Sequence, residues 1–387
     1  MKQDQRVEYA VEIMKRFAEE TGLTGNGKPR RYLWTDAFAV CNFLELSSLT
    51  GEDVYRSHAL QLVDQVHQVL GRHRDDDSRS GWISGLEEEE GRAHPTIGGL
   101  RIGKSLPERL PKEVSDRQLE WDQDGQYFHY LTKWIHALHV VSLKTGSKVY
   151  DQWACELAKT AHAAFVYQPA SGGQKQMYWK MSIDLSRPLV AAMGHHDPLE
   201  GYITCLELQS AAPAMLEKEV LEMKELCRGR DWTTDDPLGF GGLLCDGLLL
   251  AQLMIGKKPV LDGLLRDILA SALEGLKMYS STANINTNKD PLSLPAEYRL
   301  AFRELGLSIG LHGVKKIRQC LRDNPEVFQS GDALERLFNK LATYQNLGDR
   351  IEDFWLTEEN QRSATWTSHL DINMVMLATS LEPGGYL

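Results

Sequence analysis

Leu49-Thr50-Gly51-Glu52-Asp53-Val54-Tyr55 and Lys144-Thr145-Gly146-Ser147-Lys148-Val149-Tyr150 repeat one another about 95 residues apart, down to the closing Val-Tyr pair. In each, a mostly apolar helical run ends on Gly and a more amphipathic one begins two or three residues later. The position after a helix commonly takes the left-handed conformation that only Gly adopts cheaply, so each copy marks a tight turn between two helices. Weaker copies are read at Met254-Ile255-Gly256-Lys257-Lys258-Pro259-Val260 and at His312-Gly313-Val314. No run of β-branched residues alternates with period two, and no Asn-Gly turn joins two such runs, so strand signals are nearly absent.

Outward from these junctions, helical periodicity covers most of the chain. The apolar member of each pair starts near Trp34, Gln126, Ser182, Pro237, Ala296 and Trp366. The partners run roughly over 52–73, 147–167, 214–228, 258–280 and 325–347, and 4–21 supplies the remaining one. The first set is apolar nearly all round, as surrounded helices must be, whereas the second carries a charged face. The pattern predicts an all-α fold, an (α/α)6 toroid of inner and outer helices, formed by one domain over 1–387 with a long mouth loop at about 74–123. Gly239, Gly241, Gly242, Gly247, Gly306 and Gly310 lie inside apolar helices, where Gly costs stability relative to Ala; they are read as permitting close helix contact or cavity space.

The 387 residues are 42% hydrophobic and 25% charged, the composition of an ordinary globular protein with material for a large core. A formal charge of −11, with no Lys/Arg block, excludes the basic stripe of a nucleic-acid binder. The first residues alternate charge with apolar side chains and lack a signal-peptide core, and Leu243 to Ile255, interrupted by Asp246 and Gln252, reads as a buried helix too short for a bilayer. Membrane partners are not expected. The six cysteines are scattered singly without a C-x-x-C pair, which fits a reducing cytoplasm. Oligomeric state is not legible.

The helix alternation and the repeated Thr-Gly-x-x-Val-Tyr turn resemble the six-hairpin glycosidase-like superfamily, α/α toroids that include many carbohydrate-active enzymes. The resemblance covers essentially the whole length and rests on fold pattern without a diagnostic active-site motif. It implies that the loops before the inner helices gather at one mouth while the Gly turns close the other end. The long loops, 71–124, 168–181, 280–295 and 356–365, fall on the mouth side, where function concentrates.

Polar residues at those helix starts give the candidate site. Asp36 and Asp184 are the leading acid/base carboxylates, His129 suits proton transfer near neutral pH, and His369 is its counterpart on a later helix. His129 and Lys133 lie one turn apart on one helix face. Trp34, Trp82, Tyr130, Lys133, Arg187, Arg299 and Asp371 are the candidate substrate-binding residues, with Glu297 and Arg303 nearby. Trp82, in Ser80-Gly81-Trp82-Ile83-Ser84-Gly85, would offer a flat apolar face to a sugar. Trp121 to Tyr130, with three aromatics in four positions at its end, is the most site-like stretch.

Plainer roles stand beside these. An Asp in a first helical turn is a routine cap, Arg187 and Arg299 pair readily with acids inside a fold, and His136 and His139, deeper in their helix, read as hydrogen-bonded core histidines. Gly194-His195-His196-Asp197-Pro198 carries ligand-type residues but no second cluster at metal-ligand spacing, and Pro198 reads as a helix break. No metal and no cofactor is expected; Gly239-Phe240-Gly241-Gly242 follows no strand and lacks a phosphate-loop Lys. The expectation is a cytoplasmic carbohydrate-active enzyme, hydrolase, lyase or sugar epimerase, working on a small-molecule substrate by acid/base chemistry in the lumen. Two alternatives remain: a dehydratase/isomerase acting on an apolar alcohol or terpenoid, and a non-catalytic binding or scaffold protein.

Overall fold

The computed structural model describes all residues except 1, 115, 212–214, 258–260, 287–290 and 329–330. It is 66% helical. Two compact units partition the chain, one of residues 15–228 and one of residues 1–14 with 229–387.

In the first unit, α1 (Gln3–Glu20) contributes its last six residues, followed by α2 (Leu33–Thr50) and α3 (Asp53–Leu70). The long loop then carries two short helices, α4 (Glu88–Ala93) and α5 (Arg117–Asp122), before β1 (Gln126–Tyr127), α6 (Phe128–Thr145) and α7 (Val149–Phe165). Four short strands follow, β2 (Val166–Tyr167), β3 (Gln176–Met177), β4 (Lys180–Met181) and β5 (Pro188–Val190), then α8 (Asp197–Ala211) and α9 (Glu217–Cys227). α2 packs on α3, α6 on α7 and α8 on α9, while α6 also packs between α2 and α8.

The two junctions repeat atom by atom. Gly51 and Gly146 take φ +74° and +75°, and their N–H groups bond back to Ser47 O and Ser142 O. In both, the preceding threonine donates its hydroxyl to the carbonyl four residues back, at 2.7 Å, and accepts the N–H of the residue after the glycine, at 3.2 Å. Side-chain contacts then give the helices a direction. Tyr32, just before α2, meets Tyr130 at the start of α6, and Lys144 at the end of α6 reaches Glu45 and Ser48 near the end of α2. The two helices are therefore parallel, start beside start.

The third apolar helix departs from the sequence reading. It begins at Asp197, not near Ser182; residues 180–190 form a hairpin, in which β4 pairs antiparallel with β1 on one side and β5 on the other. Pro198 opens the helix rather than breaking it, because its fixed φ suits a first turn whose N–H has no intrahelical acceptor.

In the second unit, the first residues of α1 join α10 (Pro237–Lys257), α11 (Asp262–Asn286), α12 (Ala301–Asp323), α13 (Gly331–Leu341), α14 (Gln345–Trp355), the short α15 (Glu358–Gln361) and α16 (Ala364–Thr367), and α17 (Leu370–Leu381). α10 is longer than the stretch 243–255 suggested and by length and composition alone could cross a bilayer; here it is a core helix packed on α11 and α12. A Cβ added to Gly241 would lie 2.5 Å from Gly306 O, and one added to Gly310 would lie 2.4 Å from Gly241 O, so these glycines do set a close helix approach. Gly256 and Gly313, read as weaker turn copies, lie inside α10 and α12 and have no positive φ; the rest of the first copy, 258–260, falls outside the described residues. The expected helix over 325–347 is broken, α13 and α14 being joined by one 3-10 turn at Ala342–Tyr344.

Candidate active site

A cluster of facing charged side chains lies where α6 packs on α8. His129, Lys133 and His136, spaced i, i+4, i+7, share one face of α6. They meet Asp197, Glu200 and Glu207, spaced i, i+3, i+10, on α8: His129 Nδ1 lies 3.9 Å from Asp197 Oδ1, Lys133 Nζ 3.5 Å from Glu200 Oε1, and His136 Nδ1 3.0 Å from Glu207 Oε1. Pairing in chain order on both helices makes α6 and α8 parallel as well. Thr132 donates to Glu200 Oε2 at 3.1 Å. His139, one step round the helix, turns instead to Asp151 on α7 at 2.8 Å, so both inner histidines are hydrogen-bonded as their depth implied.

Electrostatics separates these groups by task. Burial lowers the His129 pKa to about 4, with Lys133 reinforcing and Glu200 opposing, so its imidazole is neutral at physiological pH. Burial raises the Asp197 carboxyl well above its usual range, and neighbouring Glu200 pushes it further. Burial would raise Glu200 too, but Lys133, His129 and His196 outweigh it and hold that carboxyl below its ordinary value. A neutral base, a proton-retaining acid and an anion thus sit within two helical turns. The His129 side chain is 27% exposed, so the cluster is reachable, whereas Asp197 Oδ2 is buried and makes no hydrogen bond among the described residues. An orphaned buried carboxyl oxygen is costly unless something else engages it.

An aromatic wall adjoins the cluster. The His129 ring is stacked on Tyr127 with centroids 5.5 Å apart and is parallel to Trp179 at 6.5 Å. Tyr130 stands edge-on to His129 at 4.7 Å, and its hydroxyl lies 2.6 Å from that of Tyr32. Burial pushes the Tyr32 phenol up to about 12 and raises Tyr130 as well, so both hydroxyls are neutral hydrogen-bonding groups. The small sheet explains this convergence: β1 leads directly into α6, and its partner β4 directly follows Trp179.

The other expected residues lie elsewhere or are engaged. Asp36 accepts Tyr32 N–H at 2.9 Å and lies 3.5 Å from Arg31 Nη1, a capping and charge-pairing role at the start of α2. Trp34 is buried against Phe38. Trp82 is 2% exposed, with the Arg72 guanidinium over its ring at 4.3 Å and Gly91 too close to tolerate a Cβ, so it offers no face to a ligand. Asp184 and Arg187 are not in a helical first turn but in the hairpin turn between β4 and β5. Asp184 accepts from Ser182 and Ser186 hydroxyls and from Arg79, Arg187 donates to Arg109 O, and both line a separate cavity of about 350 Å³ crossed by the Arg79 pairs to Asp77, Glu108 and Asp184.

The remaining three belong to the second unit. Arg299 is 3% exposed, forked on Glu304 at 2.7 to 3.1 Å and stacked 3.6 Å from the Phe354 ring centroid, so its guanidinium is a core element. His369, immediately before α17, meets Ser368 Oγ at 3.0 Å and Thr365 O at 3.3 Å; Asp371 lies in the first turn of α17.

Sequence reasoning missed Glu200, Glu207, Tyr32 and Trp179, and weighed Asp197 only as a metal ligand. The signal was present: with a helix started at Pro198, Asp197, Glu200 and Glu207 fall on one face.

No family model and no curated protein matches the chain. Solved structures do. A GH76 alpha-mannanase of Bacteroides thetaiotaomicron is 9% identical with a TM-score of 0.55, the match covering 100% of this chain and 96% of that one. A sugar epimerase from a ruminal bacterium is 11% identical with a TM-score of 0.52 over 99% of each chain. A D-mannose isomerase is 12% identical with a TM-score of 0.52 over 97% of each. Likeness at such identity is one of backbone. The chain shares the fold of these structures, an (α/α)6 toroid.

Proposed function

We propose that the protein is a carbohydrate-active enzyme of the epimerase or isomerase type, acting on an open-chain sugar through the cluster of His129, Asp197 and Glu200. The observation that carries this reading is the 3.9 Å approach of a neutral imidazole to a carboxyl that retains its proton. In this scheme His129 takes the proton from the carbon beside the sugar carbonyl while Asp197 gives its proton to the carbonyl oxygen, forming an enediol. Return of the His129 proton to the former carbonyl carbon, with Asp197 taking back a proton from the neighbouring hydroxyl, moves the carbonyl by one position; return to the original carbon after the enediol has turned its other face to His129, with Asp197 taking back the proton it gave, yields the epimer. The Glu200 anion stabilises the imidazolium formed midway, and Lys133 keeps Glu200 ionised.

Hydrolysis is the competing reading, since Asp197 and Glu200 also hold opposite protonation preferences. They are three residues apart on one helix, however, and so stand on one side of a bound ring, whereas glycosidic cleavage calls for carboxyls flanking the bond. The epimerase and D-mannose isomerase among the structures of like fold support the first reading, and the mannanase the second. A cytoplasmic setting belongs to the same proposal, supported by six cysteines scattered without a C-x-x-C pair. The test is to incubate purified protein with a panel of aldoses and ketoses, D-mannose included, and with their glycosides. Interconversion of free sugars with intact glycosides supports the proposal; release of reducing ends without interconversion refutes it.

A further inference from the structure

A cavity of about 600 Å³ opens beside the candidate site, between β5 and the start of α8. Its walls are mostly apolar, Trp121 and Trp179, 4.9 Å apart and edge to face, with Leu189, Val190 and Met193, and His195 also lines it. The carboxylate in the wall, Glu120, is already engaged by Arg109 and by Lys180 Nζ, the latter at 3.4 Å. Such a wall presents few groups to hydrogen-bond hydroxyls and a broad apolar surface to a hydrocarbon. Two residues belong to cavity and site together. Trp179 lines the cavity and runs parallel to the His129 ring, and Gly194 lines the cavity while its N–H bonds the Asp197 carboxyl. A sugar held at His129 and Asp197 therefore has the cavity as its immediate neighbour.

We infer that this cavity receives an alkyl or aryl group carried by the sugar, so that the preferred substrate is a substituted aldose, an ether or ester, rather than a free one. The inference rests on the carbohydrate reading of the site and narrows its substrate class. Trp121, 46% exposed in the free protein, would lose that exposure on binding.

The test is calorimetric titration of the His129→Ala protein, chosen because its turnover should be slowed by about a hundred-fold or more, with D-mannose and with its 4-O-benzyl and 6-O-benzyl ethers. At least one ether is expected to bind ten-fold or more tighter than D-mannose. Ala192→Trp, which fills the cavity from an exposed loop position, and Trp121→Ala, which removes one wall, should each abolish that advantage and leave D-mannose binding as it was. Equal affinities, no measurable binding of either ether, or an advantage that survives Ala192→Trp overturns the inference. Because the readout is binding, these outcomes stand apart from those of the sugar-interconversion assay, which judges the reaction alone.

Discussion

His129 on α6 and Asp197 at the first position of α8 face each other at 3.9 Å, each held in an environment that disfavours its charged form. One is a base ready to accept a proton and the other an acid still holding one. A pH profile should show this directly. Activity requires His129 unprotonated, so kcat/KM should fall on the acid side around pH 4, and it requires Asp197 protonated, so kcat/KM should fall again above the raised pKa of that carboxyl. Asp197→Asn, which has no carboxyl proton to give, should lose most of the activity, and what remains should lack the alkaline limb while keeping the acid one. Profiles of wild type and variant that share the same alkaline limb would assign that limb to another group.

Glu352 predicts a pH effect on stability in the second unit. Burial would raise its pKa, but His312 and Arg6, each 2.8 Å away, hold it at about 2. A carboxylate whose folded pKa lies below its unfolded value contributes stability above the unfolded value, lost as pH falls from about 4.5 towards 2. Glu352→Gln should lower unfolding free energy at pH 7 by on the order of 3 kcal/mol. Urea titrations should show that deficit shrinking through the same interval; a deficit that does not vary with pH would mean that packing, not charge, is what the variant lost.

The crossing of α10 and α12 should be intolerant of a single methyl. A Cβ at Gly310 would approach Gly241 O to 2.4 Å, and backbone has no rotamer by which to move away. Gly310→Ala should destabilise by about 1–3 kcal/mol, through overpacking that outweighs the better helix propensity of Ala. Gly242→Ala, with nothing within 4 Å, is the control and should stabilise slightly in the same thermal melts.

Gly51 and Gly146 isolate backbone conformation, since a Cβ at either would meet nothing within 4 Å. Replacing either with Ala should therefore cost about 1 kcal/mol, from the left-handed φ alone. Equal costs at the two sites would show that the repeat seen in sequence is also a repeat in energy; a cost at one site only would contradict that equivalence.

These glycines also show why much of the fold was legible. A C′ glycine after a threonine, with an apolar run before it, fixes a helix end by local chemistry, and α2, α3, α6 and α7 fall close to where that chemistry places them. The third pair failed for an equally local reason. β4 and β5 are two and three residues long, too short for period-two alternation to register, and Met181 to Met193 carries enough apolar residues to pass for a helix. Starting that helix fifteen residues early placed Asp184 and Arg187 at its mouth, and reading Pro198 as a helix break cut Asp197 off from the face it shares with Glu200 and Glu207. His129 and Lys133 were found because their own helix was placed correctly. Asp36 and Arg299 show the opposite limit: nothing in a sequence says that Arg31 and Glu304 will occupy them.

The most direct measurement is deuterium exchange at the carbon beside the carbonyl, followed by NMR on a sugar that the protein interconverts in heavy water. Wild type should introduce solvent deuterium at that carbon, and His129→Ala should slow the exchange by about a hundred-fold or more while the variant remains folded. Exchange that proceeds at the wild-type rate without His129 would contradict the account.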